Sequence, residues 1–516
     1  MELSYPGHWS ALALIATLTL TVRLLLKPRH KLPPGPKGLP LLGNLFQLPQ
    51  FQWLRFTEWK EEFGPIFSLN LAGQPVVVLN SHKVTADLLD RRSTIYSDRP
   101  RFIMAGEILT GRIFIAFSGY GELWRKLRKA AHEGMNVRAS EAYQPLQEME
   151  AAVLVDNVLK DPEGWDDHLK RSAASTVLTA VYGVEPIKSK DDPLVVRIND
   201  LMHRLVRATL PGAFLVDIFP AMKYLPEFIA PWKKEGLEWH RKDTKMFQEF
   251  MDSVRGRMKS GEAKPSFAAG LIEKQNTHKL SPKEESWLAG TMFGAGAETT
   301  AAALSVFILA MRLYPNVMRK AQAEIDAVVG RERLPTFEDR EKLPYIRAIV
   351  KEVLRWRPVG PLGLPRRAMK DDFYEGYFIP AGTLVIANVW AMNRDPAVFP
   401  DYDEFRPERF LDETGTQEVV PPDTHNQGHV TFGFGRRICI GLNIANQGLF
   451  IDFASLLWAA SIEPAHDENG VEIVPSRTDS VDEGLVVRPV PFKCKIVPRS
   501  EDVNSMLELA KKKQVW

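Results

Sequence analysis

Cysteine is almost missing from the 516 residues: there are two, Cys439 and Cys494, and no Asn-x-Ser/Thr acceptor occurs anywhere. This scarcity excludes a disulfide framework and places the folded body in a reducing compartment. An excess of one charge is missing too. Lys and Arg number 66 against 64 Asp and Glu, a net charge of +2, and no basic face is clustered as a nucleic-acid binder would need, so no nucleic-acid partner is expected. No Gly-x-Gly-x-x-Gly follows a strand pattern, which leaves no dinucleotide-binding motif of its own. What is present is an enzyme-like balance of 45% hydrophobic and 25% charged residues. Length alone does not choose between one large domain and two or three smaller ones.

Long apolar runs are rare, and the first is near the N-terminus. Residues 9–26 are mostly apolar and are followed by Lys27, Arg29, His30 and Lys31. The run is close to the ~20 residues that cross a bilayer, and basic residues on its far side predict a retained anchor with the body in the cytoplasm. A cleaved signal peptide would want positive charge before the run and small residues at its end. Here Glu2 precedes the run and Arg23, Leu24, Leu25 and Leu26 close it. The expected organisation is therefore a lumenal terminus (1–8), a transmembrane anchor (9–26), a basic and proline-rich hinge (27–43), a catalytic domain (44–500) and a short amphipathic or frayed tail (501–516).

One cysteine sits in an unusual setting. Phe432 to Gly441 reads Phe-Gly-Phe-Gly-Arg-Arg-Ile-Cys-Ile-Gly. Gly433, Gly435 and Gly441 let backbone bend tightly around the Cys439 sulfur and approach a flat group, and backbone NH groups of such a turn tune a thiolate. Arg437 adds a planar fork of donors suited to a carboxylate. The bland reading of a lone cysteine is an inert buried thiol, but its patterned neighbours argue otherwise.

Elsewhere, Phe67–Leu71 and Pro75–Leu79 look like paired strands around Ala72-Gly73-Gln74, and helical text begins at Ser81. Residues 101–121 form an apolar loop, with Phe114 and Phe117, that must bury against something. Trp124 and Arg128 share a helix face, which a solvated basic face would also explain. Prolines break up an apolar cluster over 214–232, read either as segments dipping into a membrane interface or as core. An apolar helix over Trp287–Tyr314 is interrupted at its middle by Gly294-Ala295-Gly296-Ala297-Glu298-Thr299-Thr300. A buried Glu298 needs a partner or a proton to handle, Gly296 leaves room for a small ligand, and Thr299 can bond back to the preceding turn. An acid, an alcohol and a gap suit a proton relay.

The spacing Phe432, Gly435, Arg437, Cys439, Gly441 closely resembles the haem-binding signature of the cytochrome P-450 family, in wording nearest to fungal enzymes of specialised metabolism. The resemblance extends in order over roughly 33–500 and implies a mainly α fold with small β-sheets. It implies haem b ligated by Cys439, with Trp124, Arg128 and Arg366 (Arg367 as second choice) on the propionates and Phe432, Gly433, Arg437 and Gly441 shaping the pocket. Glu298 and Thr299 match its oxygen-activation segment and would deliver protons. Glu352, Arg355 and Arg409 match its structural triad. Resemblance also implies substrate contacts at Phe114, Phe117, Met292, Phe293, Ala295, Val359, Leu362 and Leu485, the last on a hairpin tip at 484–487. Those residues are apolar, so a lipophilic, terpenoid or polyketide-like substrate is expected. The implied activity is insertion of one oxygen atom from O2, with electrons from NADPH through a separate reductase and cytochrome b5 as a further donor, at the endoplasmic reticulum membrane. A haem-thiolate isomerase or dehydratase, and a non-catalytic haem sensor, are the alternatives; an intact Glu298-Thr299 pair speaks against both.

Overall fold

The computed structural model describes residues 30–508 apart from 211, 483 and 504. The expected anchor, most of the basic flank and the last eight residues of the tail lie outside the described residues. The architecture is mainly helical with small sheets, as expected.

A long helix, Pro282–Leu313, runs through the molecule. It begins five residues ahead of the expected Trp287, because Ser281 and Glu284 form a reciprocal capping box around Pro282 at the first turn, satisfying amide donors that no preceding turn can. It is long and apolar enough to cross a bilayer, but 67% of its most apolar window is buried, so it reads as a core helix. The expected interruption is not a break, because helical bonding continues through Gly294–Thr300. The glycines act sideways. A Cβ at Gly290, Gly294 or Gly296 would lie within 3 Å of Phe247, Met202 or Val177. Gly296 therefore admits the neighbouring helix Trp165–Tyr182, and the ligand gap expected there is not at Gly296.

On one side, the long helix packs with Gln144–Lys160, Pro344–Trp356 and Leu442–Ala459 in the largest apolar core, where Phe307 and Phe453 stack at 4.0 Å. On the other, a second core gathers the segment 103–117 with parts of Glu122–Met135, Trp165–Tyr182, Pro193–Thr209 and Pro231–Ser260. The main sheet has strands β1 (Ile66–Leu71), β2 (Gln74–Leu79), β3 (Arg366–Arg367) and β4 (Leu384–Ala387) in the order β1-β2-β4-β3. β1 and β2 pair from Ile66↔Leu79 to Leu71↔Gln74 around Ala72 (φ 49°) and Gly73 (φ 95°), the left-handed pair that a two-residue hairpin demands.

Two expectations shift. The proline-rich hinge, where described, is pinned to the domain: Ser68 donates from N to Pro34 O (2.7 Å) and from Oγ to Pro33 O (2.6 Å). A Cβ at Gly35 would lie 1.9 Å from Ser68 O, so only glycine fits against β1. In the tail, Val503 and Leu507 are buried in the largest core, so the described part is docked by one face, which narrows the amphipathic-or-frayed expectation to the first.

Candidate active site

The cysteine loop is closed by Cys439 N–H donating to Phe432 O (2.9 Å), with a single 3-10 turn at Gly435–Arg437 inside it. Gly435 has φ 50°, and a Cβ there would lie 2.1 Å from Leu89 O; its amide donates to Asp90 Oδ1 (2.5 Å). Gly433 is also left-handed (φ 77°), but its Cβ would meet open space. A Cβ at Gly441 would sit at an ordinary 4.0 Å from the sulfur. The three glycines thus have three different reasons.

Cys439 lies two residues before the Gly441 cap of the helix Leu442–Ala459, whose N-terminal amides favour an anion. Burial pushes the thiol up, while amides of Gly441 and Leu442 and the charge of Arg128 pull it back. The residue is enclosed by protein and yet has accessible surface, the combination expected of a group facing an interior space. The long helix has a matching opening. Met292 to Gly294 and Ala301 to Met311 are buried, whereas Ala295 is exposed and Gly296, Glu298, Thr299 and Thr300 are partly so. Ala295 and Thr299 stand one turn apart on one face, joined by Thr299 Oγ1 donating to Ala295 O (2.8 Å).

Positive charge collects around this space. Arg437 donates to the carbonyls of Ser97 (Nε, 2.8 Å), Ile115 (3.2 Å) and Ser118 (2.7 Å), and its guanidinium stacks over Trp124 at 4.3 Å. Arg128 donates to Ile438 O (2.7 Å), at the cysteine's own loop. Arg366 points inward from β3 to Phe434 O (2.5 Å), while Arg367 alternates outward to Asp98. Arg99, which sequence reasoning did not single out, is buried and donates to the carbonyls of Ala116 (2.8 Å), Leu364 (2.7 Å) and Pro365 (2.8 Å). Burial lowers Arg366 to about 10 and, with the charge of Arg366, Arg437 to about 9, so both stay charged at neutral pH. Nη1 of Arg366 is buried and has no hydrogen-bond partner among the described residues. Neutral carbonyls satisfy donors but do not cancel charge. This surplus, an orphaned guanidinium nitrogen and an enclosed thiol with an accessible face fit a flat dianionic group ligated by sulfur.

The triad holds the loop from behind. Arg355 binds Glu352 through Nε (2.6 Å) and Nη2 (2.8 Å), both side chains being 0% exposed, and Arg409 Nε reaches Glu352 Oε1 (3.1 Å). Arg355 Nη1 also donates to Asn393 O (2.8 Å). Asn393 in turn accepts Val430 N–H (3.1 Å) and donates to Thr431 Oγ1 (3.0 Å), which donates to Leu354 O (2.6 Å). Asn393 and Thr431 were not predicted; a lone Asn or Thr carries no sequence signal for such a bridge.

The expected substrate contacts divide. Phe114, Phe117, Met292 and Phe293 are buried members of the second core, and Leu485 packs against it. Val359 meets the tip through Val487 N–H to Val359 O (2.8 Å). Leu362 goes elsewhere, to the cluster of Phe56, Trp59 and Phe67 under the sheet; Leu364, two residues on, packs on the second core instead. Alternation along an extended segment sends 362 and 364 to the same side only if it is straight, and Gly363 (φ 54°) turns it.

Fold and site together define a haem-thiolate protein, and the cytochrome P450 family model matches residues 33–496: the chain belongs to the cytochrome P450 family. It is a monooxygenase of that family, whose members bind haem b through a cysteine thiolate and use O2, a redox partner and a small-molecule substrate. It is 66% identical over 97% of its length to cytochrome P450 monooxygenase 253 of Postia placenta, covering 95% of that protein. A cytochrome P450 monooxygenase of Armillaria gallica is 51% identical, covering 97% of this chain and 96% of the relative. Monooxygenase iboC of Amanita muscaria is 38% identical, with 96% of each chain covered.

Proposed function

We propose that the chain oxygenates a lipophilic small molecule of specialised metabolism at the endoplasmic reticulum membrane, using NADPH electrons through a separate reductase, with cytochrome b5 as an additional donor. The observation that carries this reading is the single opening in the long helix, at Ala295 and Thr299, beside an otherwise apolar core that Ile440 and Ile444 of the cysteine region also touch.

Cys439 is the proposed iron ligand, and Arg128, Arg366, Arg437 and Trp124 would hold the propionates. Bound there, haem supplies reductive activation of O2. The chain's own residues do the rest. Thr299 donates its hydroxyl to Ala295 O at rest (2.8 Å), and to pass a proton it would turn that hydroxyl from the carbonyl to the opening. Glu298, partly exposed on the adjacent helix position, is the proposed source of protons. Phe114, Phe117, Val359 and Leu485 would exclude water and hold the substrate by apolar contact, with Leu364 in the place expected for Leu362.

Membrane contact is supported by 214–232: Phe228 is 86% exposed and Tyr224 81%, with Leu215, Ile218, Phe219 and Ile229 also exposed, more apolar surface than water tolerates cheaply. Phe214 and Trp232 turn inward to the second core. Turnover in membranes with reductase, NADPH, isotopically heavy O2 and a panel of lipophilic substrates tests the whole. Heavy oxygen in a product, lost in Cys439→Ala, is expected; product formed without O2 or NADPH would overturn it in favour of an isomerase.

A further inference from the structure

Between the segment 98–119 and the edge of the main sheet lies a cleft of about 270 Å³. Part of its lining is apolar, since Phe102 and Phe117 both face it and their ring centroids are 5.4 Å apart. Its other side is cationic. Arg99, Arg101, Arg112 and Arg367 line it against only two carboxylates, Asp98 and Glu107.

Both carboxylates are already taken. Glu107 is shared among Arg101 (2.7 Å), Arg112 (3.0 Å) and Lys223. Burial alone would raise it, but the hydrogen bonds from Arg101, Lys223 and Arg112 outweigh burial and lower it to about 2, so it is ionised throughout the neutral range. Asp98 holds Arg367 (2.5 Å) and accepts the Tyr120 amide (2.8 Å). Among the described residues Arg112 makes one ion pair, to Glu107, although a guanidinium carries five donors, and its side chain is 64% exposed. It also sits at φ 68°, a left-handed backbone unusual for arginine.

We propose that this cleft binds a small amphipathic carboxylate, the oxygens on the remaining donors of Arg101 and Arg112 and the hydrocarbon against Phe102 and Phe117. A carboxylate matches the planar fork of an arginine, and surplus positive charge around the aromatic wall disfavours a cationic amphiphile. A neutral molecule of equal length would gain only the apolar part. Binding in the cleft requires no chemistry at Cys439.

The test uses full-length haem-loaded protein in nanodiscs, with an azole iron ligand at saturation to fill the space beside the haem. Octanoate and 1-octanol are titrated calorimetrically, with empty nanodiscs as the blank. Octanoate is expected to bind at least about tenfold more tightly than octanol, the difference falling as salt is raised. Arg112→Gln and, separately, Arg101→Gln should each weaken octanoate several-fold and leave octanol unchanged, with the haem spectrum unaltered. Each change leaves Glu107 two of its three cations, and an unaltered haem spectrum and octanol affinity show that the fold is intact. Equal affinity for acid and alcohol, no saturable octanoate binding, or octanoate binding insensitive to both substitutions would overturn the proposal. Octanoate binding abolished by the azole would place it beside the haem instead and would overturn it equally.

Discussion

Asn393 offers a direct test of how the cysteine loop is held. Its side chain is fully buried, accepting the Val430 amide at 3.1 Å and donating to Thr431 Oγ1 at 3.0 Å, just ahead of Phe432. Asn393→Leu keeps the branched shape, with some added volume, and removes both bonds together with a longer one from Nδ2 to Leu354 O (3.5 Å). Thr431 still donates to Leu354 O at 2.6 Å, so it loses an interaction without becoming an orphan donor. Val430, itself buried, has its amide stranded. A stranded buried donor costs about 1–3 kcal/mol and the second bond about 1 more, so the loop should be destabilised by about 2–4 kcal/mol. Because the loss falls on the loop, haem release should precede unfolding of the body. Urea titration followed in parallel by haem absorbance and far-ultraviolet circular dichroism reads this: in Asn393→Leu the haem transition should move to lower urea and separate from the helical one. Coincident transitions with midpoints unchanged to within about 0.5 kcal/mol would refute the idea that Asn393 transmits the triad's rigidity to the cysteine.

Other consequences follow from the same geometry. Gly435→Ala places a Cβ 2.1 Å from Leu89 O at a φ of 50° and should abolish haem incorporation; haem content equal to the parent's in the purified variant would refute this. Arg355→Leu leaves the buried Glu352 with Arg409 and the Arg406 amide as its partners, an expected loss of about 3–5 kcal/mol that should prevent recovery of soluble haem protein, read as yield and haem content. Asp452 is raised from 3.8 to about 8 by burial and then by Glu150's charge, against the pull of Arg171. A carboxyl raised by folding keeps its stability contribution at low pH and loses it as pH rises from about 4 through about 8, so Asp452→Asn should gain on the parent by up to a few kcal/mol at pH 8–9, with the gap closing toward pH 5; a gap independent of pH in thermal melts would count against it.

Much of the site is legible in sequence because its chemistry needs rare residues at fixed spacing. Cys439 stands out as one of two cysteines, whereas alternation on a strand says only that Arg366 and Arg367 face opposite ways; resemblance favours Arg366, and the structure sends it to Phe434 O and Arg367 to Asp98. Arg99 escapes notice since its partners are backbone carbonyls, which any sequence provides. Asn393 escapes for the same reason in reverse: its role depends on a loop more than thirty residues away in the chain. Fold elements written by local rules, such as the Ala72-Gly73 hairpin and the helix start at Ser81, lie close to where sequence places them, whereas the long helix begins at Pro282, five residues ahead of Trp287. Features written by tertiary contact, such as the pinned proline segment and the buried face of the tail, do not.

The long helix shows why spacing alone misplaces function. Its glycines and its open positions interleave, so Gly294 and Gly296 look like the gap, but a side chain at either would strike Met202 or Val177. A helix turns about 100° per residue, so the neighbour of a packed position faces another way. Ala295 lies between those glycines and is exposed, and Thr299 follows it one turn later on the same face. The glycines bring the neighbouring helices close, and the alanine leaves the room. Filling Ala295 with a larger apolar residue should therefore restrict the opening without moving the helices, whereas filling Gly296 should push helix from helix and leave the opening where it is.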